Sequence, residues 1–206
     1  MALGIQTQSV SSGDILPIIK YDAKAGDLIR QDRTQQEDGQ WVKSESEINM
    51  PFKCAFDLEN TEVGWISFAS GAPDFRMVKI GEPLPAKPTE EHNMGFRVRV
   101  AGKELGLREF SSTAKTVIRP LDALHDNYIA QREKNKGKVP VVEWSGTERV
   151  STASPQGTLS FKAPVWSIVD WMPRDKFDEL GAASAPENPP IVSEEPAGES
   201  DPFALD

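Results

Sequence analysis

Phe52-Lys53-Cys54-Ala55-Phe56-Asp57-Leu58 is the stretch whose pattern settles the fold class. Phe52, Cys54, Phe56 and Leu58 alternate with Lys53, Ala55 and Asp57, a period of two that turns one face inward and leaves the other partly polar, as in a β-strand. Past Asn60, Glu62-Val63-Gly64-Trp65-Ile66-Ser67-Phe68 carries apolar side chains on both faces, as a central strand does. Residues 75–80 form a further strand after a Gly71-Ala72-Pro73 turn. Residues 81–93 contain Pro83, Pro85 and Pro88, which have no amide hydrogen to give a ladder, so they read as a surface loop.

Upstream, Ile15-Leu16 with Ile18-Ile19, and then Leu28-Ile29, flank Asp22-Ala23-Lys24-Ala25-Gly26: two strands joined by a turn at Gly26. Residues 31–39 are a polar loop, after which Trp41-Val42 restarts pairing. Downstream, Phe96, Val98 and Val100 fall on one face of a strand, and Arg97 and Arg99 stand about 7 Å apart on the other. That separation is close to the spacing of phosphates in an extended single strand. Arg76 and Lys79 precede this basic strand, and Lys103 and Arg108 follow it.

One helix is expected around residues 112–135. Ser111, Ser112 or Thr113 can cap it, Val117, Leu121, Leu124 and Tyr128 repeat at helical spacing, and Gly137 stops it; Pro120 marks a kink or the true start. Residues 139–144 resume the β-pattern, Ser145-Gly146 reads as a turn, and Pro155-Gln156-Gly157 as another. Residues 158–161 and 165–172 are the last strands, with Pro164 at a bend between them. This order of strands, one helix and a closing set suits a mainly β fold, an oligonucleotide-binding (OB) Greek-key barrel with an N-terminal addition. A β-sandwich with one crossover helix fits the same order.

The chain of 206 residues has a formal net charge of −9, unevenly distributed. Residues 1–75 hold 6 basic and 12 acidic side chains, residues 76–176 hold 17 and 12, and residues 178–206 hold eight acidic side chains and no Lys or Arg. That last segment, with five prolines, cannot bury enough apolar surface to offset the entropy of ordering. The domain plan is therefore a flexible N-terminus at 1–13, one β-domain at 14–176 and a disordered acidic tail at 177–206. A basic centre joined to an acidic tail can bind an anion while the tail competes for the same surface. No membrane-length apolar run or leader-like start is present, so a cytoplasmic location is expected. A lone Cys54 rules out an intrachain disulfide.

No enzyme signature stands out. There is no phosphate-binding glycine loop with a following Lys-Ser/Thr. Cys54 lies among Phe52, Phe56 and Leu58, as an inert buried thiol would. Asp122, His125 and Asp126 share a helical face on which a nuclease metal could sit, but such polar groups are ordinary on a helix surface, so neither a metal nor any other cofactor is expected. The aromatics suit binding better: a ring on a basic sheet surface stacks nucleobases at about 1–3 kcal/mol each without reading sequence. Trp65, Phe75 and Trp144 are the candidates for exposure.

The tail ends Asp201-Pro202-Phe203-Ala204-Leu205-Asp206, an acidic stretch with an aromatic near its tip. Behind a β-rich body with a basic strand, this resembles the single-stranded DNA-binding proteins of bacteria and their phages. The resemblance extends to Val63-Gly64-Trp65, Phe96-Arg97-Val98-Arg99-Val100 and Pro140-Val141-Val142-Glu143. It implies an OB body that coats single-stranded DNA in phage replication and recombination, located in the host cytoplasm and open to self-association. Arg76, Lys79, Arg97, Arg99, Lys103 and Arg108 would hold phosphates, and the aromatics would stack bases. Asp201, Pro202 and Phe203 would recruit partner proteins, although bacterial tips end at the Phe itself. The alternative is a non-enzymatic phage structural or interaction protein that binds no DNA.

Overall fold

The computed structural model describes residues 16–36, 39–69, 73–154 and 157–182. In chain order its elements are β1 (Ile18–Asp22), β2 (Asp27–Gln35), β3 (Trp41–Ile48), β4 (Phe52–Phe56), β5 (Glu62–Ser67), β6 (Asp74–Lys79), β7 (Asn93–Gly102), β8 (Gly106–Ser112), α1 (Lys115–Gln131), β9 (Lys138–Ser154), β10 (Gly157–Pro173) and α2 (Arg174–Ala182). The strands join in one sheet ordered β10-β9-β4-β7-β8-β1-β2-β3, with β5 and β6 branching from β7. The protein is mainly β, as the alternating patterns require, and the sheet is not closed. None of the described helices is long and apolar enough to cross a membrane.

The sheet is assembled on β7. β8 pairs along one edge from Phe96 to Gly102, whereas the other edge is divided: Asn93 to Arg97 pair with β5, and Val100 and Ala101 with β4. Two helices cover what the sheet leaves bare. α1 turns Val117, Leu121, Leu124 and Tyr128 onto the core, where Trp144 meets the rings of Tyr21, Phe56, Phe110 and Trp166 at centroid distances of 6.1, 6.0, 5.5 and 4.8 Å. On the opposite side α2 packs Phe177 and Leu180 on Ala55, Ala101 and Val139. Ala55 and Asp57 are buried and Lys53 is exposed, so the second face of the 52–58 stretch is partly polar, as its residues suggest.

The turn between β1 and β2 reaches across to β10. Lys162 N–H donates to Ala23 O at 2.7 Å, Lys162 Nζ to Ala25 O at 2.6 Å, and Tyr21 Oη to Lys162 O at 3.0 Å. Gly26 permits the approach: its φ is +83°, and an added Cβ would overlap the Lys162 side chain.

Four local expectations are corrected. Ser145-Gly146 does not turn the chain; β9 runs on to Ser154, with a register shift opposite Val165 and Trp166. Pro164 does not separate two strands, because β10 pairs only with β9 and an edge position tolerates a residue without an amide hydrogen. Ser111 and Ser112 stay in β8, so α1 begins at Lys115 behind Ala114, whose N–H donates to Ser112 Oγ at 3.2 Å. Pro120 is not the start of the helix, since α1 begins five residues earlier at Lys115 and runs through it.

Nor do residues 177–182 belong to a disordered tail, although Asp178 and Glu179 are acidic. α2 continues to Ala182, with Phe177 only 3% exposed. Arg174 anchors it through Asp57 Oδ1 at 2.8 Å and Glu59 Oε2 at 3.0 Å. Averaged composition hid an amphipathic turn in which Phe177 and Leu180, three apart, share a face. Residues 1–13 and the tail beyond Ala182 lie outside the described residues.

Trp144 is the largest fully buried side chain. Trp144→Ala should lower the unfolding free energy by about 3–5 kcal/mol. Urea denaturation checks this as a fall in midpoint at an unchanged slope.

Candidate nucleic-acid interface

Alternation along β7 sends Phe96, Val98 and Val100 into the core and leaves Arg97 and Arg99 on the outer face. The neighbouring strands supply carboxylates on that face, because Glu62 of β5 pairs with Arg97 and Glu109 of β8 with Arg99. Arg97 is held tightly: its Nε donates to Glu62 Oε2 at 2.7 Å, Nη2 lies 2.6 Å from the same oxygen, and Nη1 lies 3.7 Å from Glu109 Oε2. Burial pushes the Glu109 carboxyl above its ordinary value, while Arg97 pulls the other way. Arg99 is exposed, and no described carboxylate comes within ion-pair distance of it. It is the cation of this strand with its charge available to a ligand.

An aromatic pair adjoins the arginines. The Arg97 guanidinium lies 5.1 Å from the centroid of Phe75, and Phe75 meets Phe68 edge-on at 6.5 Å. Phe68 is 54% exposed, an unusual surface position for an aromatic ring. The sequence reading placed Phe68 at the end of the β5 stretch and did not single it out. Its signal is its location just past β5, before the Gly71-Ala72-Pro73 stretch.

The other expected site residues divide. Lys79 pairs with Glu62 on β5, so it shares the outer face with Arg97. Arg76 pairs with Trp65, one residue out of phase, and therefore faces the opposite side, 3.2 Å from Asp74 Oδ1. Trp65 is half-buried there: its indole N–H donates to Pro85 O at 2.8 Å, and Lys87 Nζ stands 5.9 Å from its ring. His92 fastens the same proline loop, with Nε2 3.3 Å from Asp74 Oδ2 and Nδ1 2.8 Å from Thr89 Oγ1. Lys103 is exposed in the turn between β7 and β8.

Arg108 and Trp144 are corrections. Arg108 pairs with Val100, so it points inward, and it is 3% exposed. Its Nε donates to Leu105 O at 2.7 Å, Nη1 to Gln31 O at 3.2 Å, and Nη2 is ion-paired with Asp32. A buried guanidinium with these partners reaches no phosphate. Trp144, at 1% exposure, reaches no base. Asp201, Pro202 and Phe203 lie outside the described residues.

Cys54 is buried, and burial pushes its thiol well above the ordinary range. Asp122 and Asp126 are exposed on α1 and His125 is half-buried against Tyr128; among the described residues no three His, Cys, Asp or Glu side chains gather as a metal site. Compared with protein-family models, curated proteins and solved structures, the chain matches none.

The two kinds of arginine should separate on mutation. Arg108→Ala removes a buried guanidinium from Asp32, which keeps Arg30 at 2.7 Å, together with the donors to Leu105 O and Gln31 O, and should cost about 1.5–3 kcal/mol. Arg99→Ala should stay within about 0.5 kcal/mol of wild type in the same urea titration. For Asp32, burial opposes the charge, but hydrogen bonds and charge from Arg108 and Arg30 hold the carboxyl below the ordinary carboxylate value. A lowered folded-state value means stability present above the unfolded pKa and lost as pH falls through the folded one. The thermal unfolding midpoint should therefore fall below about pH 4, and less steeply in Asp32→Asn.

Proposed function

We propose that the protein is a non-enzymatic, sequence-tolerant single-stranded DNA-binding protein of phage or prophage type, built on an OB-like body. The observation that carries this reading is the outer face of β7, where Arg99, outside any ion pair among the described residues, stands beside the row formed by Arg97, Phe75 and Phe68. A cation for phosphate next to rings for bases is what a single strand requires and what sequence-independent binding uses. The element order supports the body assignment, since a strand set, α1 and the long β9–β10 hairpin follow one another as in an OB fold.

Arg99, Lys79 and Lys103 hold phosphates in this reading, Phe68 stacks a base, and Phe75 with Arg97 forms the rigid floor. The segment after Ala182 carries Glu187, Glu194, Glu195, Glu199, Asp201 and Asp206 without a basic residue. It competes for the same cations and offers Phe203 to replication or recombination partners.

With about three to four phosphates neutralised, log affinity falls with log salt at a slope of roughly −2 to −3. Fluorescence anisotropy of labelled oligo(dT) at two salt concentrations measures it, and no binding at low salt would sink the proposal. Phe68→Ala should weaken binding by about 1–3 kcal/mol, the value of one stacked base, without changing the slope. Truncation after Ala182 should tighten binding in the same assay, and unchanged or weaker binding would count against the competing tail.

A further inference from the structure

The sheet has two terminal strands, and they are treated differently. β10 has Pro164 within it, register shifts at Val165/Trp166 and Ile168/Asp170, Lys162 held by the β1–β2 turn, and α1 against its far end through Tyr128 and Trp171 at 6.0 Å. Proline, bulges and covering elements are the means by which sheets protect an edge from pairing with another chain. β3 has none of these three; what it carries instead is charge, Lys43, Glu45 and Glu47 at alternate positions, which bars some pairings and permits others. Its sequence Trp41-Val42-Lys43-Ser44-Glu45-Ser46-Glu47-Ile48 contains no proline, and it pairs with β2 without a register break from Leu28↔Ile48 to Gln35↔Trp41. Residues 42–47 are all exposed, and among the described residues no strand occupies the second edge.

The charges on this edge narrow what can occupy it. Along one edge, backbone N–H and C=O groups point outward at alternate residues. Two copies of the same edge can then pair antiparallel only with residues of like phase opposite each other, so one residue must face its own copy on a two-fold axis. An axis at Lys43 would oppose two ammonium groups, and one at Glu45 two carboxylates. At Ser46 it would bring Glu45 against the partner's Glu47 twice. At Ser44 two small hydroxyls meet, Lys43 faces the partner's Glu45, and Glu45 faces the partner's Lys43. Opposed opposite charges stabilise strand pairs, and like charges destabilise them.

We infer that β3 is a homodimer interface, in which two copies of this chain pair antiparallel about Ser44 to make one continuous sheet. The contact is isologous, as closed two-fold symmetry demands. Glu45 already holds Lys20 of its own chain through Oε1 at 2.7 Å, and both side chains are about half exposed. The inference is independent of nucleic-acid binding.

Sedimentation equilibrium of the full chain from about 1 to 100 µM tests it. The expected result is a dimer for wild type, association weakened at least about tenfold for K43E and for E45K, and recovery of the dimer in K43E/E45K, where each charge again meets its opposite. Far-UV circular dichroism of all three variants reports that they are folded, as surface reversals permit. A monomeric wild type across the range overturns the inference. So does a dimer that ignores the single reversals, or one that the double reversal fails to restore.

Discussion

β7 cannot shift by one residue. Its period-two pattern places Phe96, Val98 and Val100 in a core that Trp144 and Phe110 fill, and a slip would exchange these side chains for two guanidinium groups. Because β8 pairs along one whole edge, and β4 and β5 divide the other, that register is passed to the centre of the sheet and to the β5–β6 branch at once. The outer face is the necessary counterpart of the core. Arg97 and Arg99 are there because the hydrophobic residues between them must be inside, and Glu62 and Glu109 face them because their own strands are registered on β7.

The consequence for binding is a division of labour between charges. A cation closed into a carboxylate pair at 2.6–2.7 Å, as Arg97 is by Glu62, has little attraction left for a phosphate, yet its guanidinium plane rigidifies the Phe75 ring beneath it. Arg108 is further along the same scale: it is wholly structural, joining β8 to β2 through Gln31 O and Asp32. What remains for a ligand is the smaller set of exposed cations around Arg99. Net charge therefore says little about the site. A chain at −9 can present a locally basic face, provided its acids are tied up in pairs or carried elsewhere in sequence.

How much of this was legible in the sequence follows from the range of the interactions concerned. The strands around residues 52–58 and 94–100, and which face of each is apolar, depend on nearest-neighbour alternation, and these the sequence displays. Whether Arg108 points in or out depends on its being registered against Val100, a residue of another strand, and nothing local marks it as different from Lys103. Ser145-Gly146 has the composition of a turn but lies in a strand, since β10 supplies pairing partners on both sides of the shift. Trp144 and Trp65 look alike in sequence; one is central and the other lies beneath the Pro85 loop because of contacts made by residues distant in the chain. Phe68 escaped notice for the opposite reason: a ring at a strand end is ordinarily covered, and here it is not.

The same register that fixes the proposed binding face fixes its relation to the sheet edge. From Arg99 the strand pairings run to Glu109, to Ile18, to Gln31 and to Glu45, each step between directly opposed residues, so all five side chains project from one side of the sheet. A two-fold axis that pairs antiparallel edges stands perpendicular to the sheet and keeps that side uppermost in both copies. Pairing through β3 would thus align two Arg99 faces on a common surface, not back to back. A single strand long enough to cross the junction would meet the second face at a high effective concentration once the first is engaged. Weak patches, each with one available arginine and one exposed phenylalanine, are then sufficient if they are repeated, and the exposed regular edge of β3 is the feature of this fold that would repeat them.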